Sequence, residues 1–203
     1  MKKSLLILPL VLLASALALS ACGGGGSSSS GGGGEEAAIE EAIEISATSS
    51  DPSKCTEVQT EAFNETESGV SGSGALKACE KEVEEESEPA ESVNVSNISE
   101  SGETATAEAE IEGGSLDGQS VELEMANEEG AWKLNEISGF SNYDAAGLAS
   151  FLEGKLNEEE GVEPALAKCI AEGVEEMSQE EAEALVFEKS QEGLEEIATA
   201  CSE

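Results

Sequence analysis

From Thr104 to Met125 the chain alternates small apolar and polar side chains through two successive runs. In TATAEAEIE, Ala105, Ala107, Ala109 and Ile111 alternate with Thr and Glu; in SVELEM, Val121, Leu123 and Met125 alternate with Glu122 and Glu124. A period of two is that of a pleated strand with one buried and one wet face. Asp117-Gly118 lies between the runs as a turn pair, so together they predict a hairpin. Val93 and Val95 begin an earlier strand after Pro89. Beyond the turn pair Glu129-Gly130, the run AWKLNEI sets Trp132 and Leu134 against Lys133 and Asn135. The expectation is a four-strand antiparallel meander with one Glu-bearing face and one face that needs a cover.

Helical periodicity upstream supplies that cover. Residues 35–49 place Ile39, Ala42 and Ile43 on one face. Asp51-Pro52 reads as an N-cap followed by Pro at the first helical position, opening a helix through CTEVQTEAFNE with Cys55, Val58 and Phe63 inward. After the Gly/Ser break from Gly69 to Gly74, ALKACEKEVEEE predicts a third helix with Leu76, Cys79 and Val83 inward. Residues 141–203 are Glu-rich and mostly helical. There Leu166, Cys169, Ile170, Val174 and Met177 form one stripe, Ser178-Gln179-Glu180-Glu181 is a capping box, and Leu185 and Val186 face inward from the helix it opens. Leu194, Ile197, Ala198 and Cys201 share a last apolar face. The fold class expected is therefore α+β: helices packed on a cone-like meander, followed by a small all-helical module.

Charge removes whole classes of function. Nine Lys and no Arg or His stand against 45 Asp and Glu, a formal charge of −36. Such a polyanion repels nucleic acid. Without His there is no imidazole base or imidazole metal ligand. The runs Glu84–Glu86 and Glu158–Glu160 lack the alternating oxygen ligands around a Gly that a calcium loop uses, so diffuse counterions are expected there. Neither a metal nor a cofactor is implied.

The N-terminus carries an address. Lys2 and Lys3 precede the apolar run Leu5–Leu19, which Pro9 and Ser15 interrupt. Fifteen residues fall short of the ~20 a helix needs to cross a bilayer, so this reads as a signal segment. Leu19-Ser20-Ala21-Cys22 follows and resembles the bacterial lipobox: an apolar residue, two small ones and Cys. That resemblance implies cleavage before Cys22 and a lipid on its sulfur, so residues 1–21 are expected to be a lipoprotein signal peptide. Residues 23–34 are Gly and Ser throughout, which with Cys22 gives a flexible tether of roughly 20 Å over 22–34. No Lys-Ser/Thr follows, so it is not a phosphate loop. The expected location is the outer face of a cell membrane, held by lipid.

With Cys22 assigned to lipid, Cys55, Cys79, Cys169 and Cys201 remain. An even number outside the cytoplasm reads as two disulfides, and their spacing favours Cys55–Cys79 and Cys169–Cys201 among three connectivities. No C-x-x-C supports a zinc or redox site.

Helices followed by a curved meander, with one Cys in DPSKCTEVQTEAF and another in ALKACEKE, resemble the nuclear transport factor 2-like (cystatin-like) fold, in particular its lipid-anchored actinobacterial versions. The resemblance covers residues 35–140 and leaves 141–203 as an acidic helical module. Some relatives of that shape are isomerases or dehydratases with Asp, Tyr or His inside the cone. Here Asp51, Asp117 and Asp144 fall at a cap, a turn and a post-sheet segment, and Tyr143 follows the sheet. Glu108 and Glu110 alternate onto the wet face. No catalytic residue is assigned. The expected function is a lipid-anchored binding or scaffold protein for a protein or small apolar ligand; the alternatives are a cone-pocket enzyme and an acidic surface spacer.

Overall fold

The computed structural model describes residues 32–85, 88–159, 161–190 and 192–202. Residues 1–31, which hold Cys22, the signal segment and most of the tether, lie outside the described residues, as do Glu86 and Glu160 of the acidic runs.

The chain is α+β, with helices before and after a four-strand antiparallel sheet of order β1-β2-β3-β4. The strands are β1 (Ser92–Ser101), β2 (Thr104–Glu112), β3 (Ser120–Glu128) and β4 (Ala131–Asn142). Ala105, Ala107, Ala109 and Ile111 of β2 and Val121, Leu123 and Met125 of β3 are buried on one face, as the alternation requires. On the other face like charges stand directly opposed, Glu108 to Glu122 and Glu124 to Glu136. The β3–β4 turn places Glu129 and Gly130 at φ 56° and 92°, the doubly left-handed pair of a two-residue hairpin. One register shift between β1 and β2, beside the left-handed Asn97, and three between β3 and β4 bend the ribbon and make the buried face concave.

Helices α1 (Gly32–Thr48), α2 (Lys54–Glu57), α3 (Glu61–Ser68) and α4 (Ser73–Glu85) precede the sheet. Ile39, Ala42 and Ile43 of α1 are all buried, as the periodicity predicts. Helix α1 also takes in Gly32–Gly34, the last three residues expected to be tether. The expected cap shifts: the N-cap of α2 is Ser53, and Asp51 and Pro52 form the turn before it, where the Asp51 carboxylate accepts the Ser53 N–H at 2.9 Å. The second helix departs from expectation by breaking in two. Between α2 and α3 the backbone extends and joins the outer edge of β4: Leu134 N–H donates to Val58 O (2.8 Å) and Thr60 N–H to Leu134 O (3.0 Å). An edge strand leaves peptide groups to be satisfied, and this segment satisfies two of them. Thr60 then caps α3 by accepting the Phe63 N–H. In α4 the inward phase is carried by Ala75 and Val83, with Leu76 only half-buried.

Past the sheet come α5 (Ala145–Glu158), α6 (Pro164–Glu175), α7 (Gln179–Val186) and α8 (Glu192–Cys201). The capping box at Ser178 and Glu181 forms with both of its hydrogen bonds. Leu148, Val174 and Ala182 pack into the same apolar cluster as the sheet residues, so these helices continue that core past β4. Side chains of α7 complete the far end of β4: Glu183 accepts the Phe140 N–H at 2.9 Å and Gln179 donates to Phe140 O at 2.8 Å. Gln119, 1% exposed, joins the β3 end to α5 by donating to Asp144 O (2.8 Å) and accepting the Asp144 N–H (2.9 Å).

Candidate functional site

On the buried face of the sheet the short side chain of Ala109, on the central strand β2, leaves space beneath the helices. The space above part of that face is a cavity of about 160 Å³, walled by Ala109, Ile111, Val121, Leu123, Leu134 and Ile137 of the sheet. Ile43, Ser46 and Ala47 of α1 and Phe63 of α3 roof it, and Val93 and Leu116 close its side. A cavity of about 150 Å³ in an apolar core stays dry and accepts a molecule the size of benzene, so this chamber has the room and lining for a short hydrocarbon.

A second cavity of about 230 Å³ adjoins the chamber, with Ser46, Ala47, Gln59, Phe63, Glu88 and Leu116 among the residues lining both. The loop between β2 and β3 shapes this junction. Gly114 sits there at φ 70°, so close that a Cβ would stand 2.7 Å from Glu88 O; only glycine permits that approach. The outer cavity is polar at its rim, lined by Lys54, Asn64, Glu67, Glu82 and Cys79.

Two of the lining carboxylates are held by lysines. Lys189 Nζ lies 3.0 Å from the Glu67 carboxylate and Lys155 Nζ 2.6 Å from that of Glu88. Lys54 is different. Only 9% exposed, it donates from Nζ to Ser46 O at 3.0 Å and makes no ion pair within 4.0 Å among the described residues. Burial pushes its ammonium below the usual lysine range, and the charge of Glu82 partly opposes the shift. Beside it Gln59, 6% exposed, donates to Ser46 Oγ at 3.0 Å. Its other amide terminus faces Cys79 Sγ at 3.3 Å, and a disulfide sulfur has no hydrogen to donate.

The four cysteines pair as Cys55–Cys79 and Cys169–Cys201, with Cα–Cα separations of 6.1 and 5.8 Å. The first joins α2 to α4 at the outer cavity; the second joins α6 to α8, away from it. Asp117 accepts the Gly113 N–H in the β2–β3 loop and Asp144 caps α5 through the Gly147 N–H. The Tyr143 ring packs on Phe140 beyond the sheet. None of Asp51, Asp117, Asp144 and Tyr143 lines the chamber, whose one titratable lining group is Glu88. Among the described residues no three His, Cys, Asp or Glu side chains are grouped to hold a metal ion, and no helix is long and apolar enough to cross a membrane.

Lys54, Gln59 and Ser46 escaped the sequence reading. Its available signal was a lysine on an apolar-periodic helix in a chain with few lysines, one residue before a cysteine assigned inward. No family model, no curated protein and no solved structure matches the chain.

Proposed function

We propose that this is a lipid-anchored extracytoplasmic binding protein of the nuclear transport factor 2-like type that holds a small, mostly apolar ligand and catalyses no reaction. The observation that carries the reading is the apolar chamber roofed by α1 and α3, opening into a polar mouth. A site of this kind binds by burying hydrocarbon and orients by a few polar groups. The chamber itself is lined by one titratable side chain, Glu88, which Lys155 holds, and general acid-base chemistry there needs a second one placed within reach of the same atoms. The lipobox-like Leu19-Ser20-Ala21-Cys22 and the Gly/Ser segment support the anchored location.

The test is mass spectrometry of the full chain extracted by detergent from its native membrane, beside the chamber-filling variant Ala109→Leu. The reading expects Cys22 as a lipidated N-terminal residue and a small apolar molecule that copurifies with the wild type and is lost from the variant. Finding Met1 still attached to a bare Cys22 refutes the anchor. An identical set of small molecules on both proteins refutes the chamber.

A further inference from the structure

Resting on that reading of the chamber, we infer that the ligand is an amphiphile with a single carboxylate head, its chain in the chamber and its head on Lys54 in the adjoining outer cavity. A lysine ammonium has three N–H donors, and Lys54 uses one on Ser46 O. The other two have no partner among the described residues, although the side chain is almost wholly buried. A buried cation holding so few hydrogen bonds is costly, and an entering carboxylate supplies both the charge and the acceptors it lacks.

The objection is the charge of the chain, −36 in total. At physiological ionic strength the screening length is about 8 Å, so the charges nearest the head decide. Two of the three rim carboxylates, Glu67 and Glu88, already hold Lys189 and Lys155. Glu82 acts on Lys54 at longer range, outside ion-pair distance. Lys189 and Lys155 thus offset part of the negative charge at the mouth, Lys155 also holding Glu158, while Lys54 lines the outer cavity with no carboxylate within 4.0 Å among the described residues. Size sets the chain: the chamber accepts roughly a benzene's volume, which suits about six to eight carbons.

The experiment uses the full lipidated chain in phosphatidylcholine vesicles, titrated calorimetrically at pH 7 with octanoate and with 1-octanol. The same measurement on Ala109→Leu in the same vesicles subtracts partition into the bilayer. The expected result is octanoate binding about tenfold or more tighter than octanol, as one charge-assisted hydrogen bond provides. Lys54→Met is expected to bind octanol as the wild type does and to lose the preference for octanoate. Octanol binding as tightly as octanoate to the wild type, or a preference that survives in Lys54→Met, overturns carboxylate recognition and leaves the chamber standing. If neither compound binds beyond the Ala109→Leu control, the chamber reading falls and this inference with it.

Discussion

Replacing Cys55 and Cys79 together by Ala separates what a crosslink does to the unfolded chain from what a buried sulfur does in the folded one. The two bridges span sequence separations of 24 and 32, for which loop-closure entropy gives about 3.5 and about 3.7 kcal/mol. By entropy alone, the second bridge therefore contributes slightly more. Packing reverses the order. Cys55 is 1% exposed and its carbonyl accepts from the buried Asn64 side chain, whereas Cys169 and Cys201 are only half-buried. Removing a packed sulfur from the core adds about 1 kcal/mol to the loss. The expectation is a cost of about 4.5 kcal/mol for Cys55→Ala/Cys79→Ala against about 3.7 for Cys169→Ala/Cys201→Ala. At about 2–4 °C per kcal/mol for a chain of this length, the first variant melts roughly 9–18 °C below the wild type. Urea unfolding followed by circular dichroism, with calorimetry alongside, measures both variants without reductant. A smaller loss for the Cys55/Cys79 pair than for the other refutes the packing argument, and a loss below about 1 kcal/mol refutes the entropic one.

Gln119→Leu leaves the Asp144 N–H without its partner, while the Asp144 C=O keeps the Leu148 N–H, and is expected to cost about 1–3 kcal/mol in denaturant titration, with faster hydrogen exchange at the Asp144 amide. A neutral result there would show that α5 is held by packing alone. Desolvation, and after it the neighbouring Glu35 and Glu36 of α1, hold the Glu100 carboxyl above the usual range. A raised folded-state value favours the protonated form, so this contribution is complete below the unfolded value and is lost as pH rises through the folded one. Glu100→Gln is accordingly expected to raise the melting temperature at pH 7 relative to the wild type and to lose that gain in acid; an equal gain at both pH values would sink the assignment. With Glu108 facing Glu122 and Glu124 facing Glu136, melting temperature should climb from low salt to molar NaCl, where the screening length is about 3 Å. A flat or falling curve counts against repulsion as the limit on stability.

Sequence alone determined the features that depend on near neighbours. Alternation from Ala105 to Met125 specified the strands and which face is buried, because side chains two apart share a face of a pleat. Ser178 and Glu181 specified a helix start for the same local reason. Tertiary structure decided what depends on distant partners. The break between α2 and α3 exists because the β4 edge, 75 residues away at Asn135, required backbone partners that no window around Val58 could show. The chamber exists where the small Ala109 on β2 meets a bent sheet under α1, and the bends come from register shifts with no period in sequence. Lys54 is buried where α2 meets the end of α1 at Ser46 and the charge of Glu82 on α4. An exposed and a buried lysine look alike in sequence; only packing gives this one its unfilled hydrogen bonds.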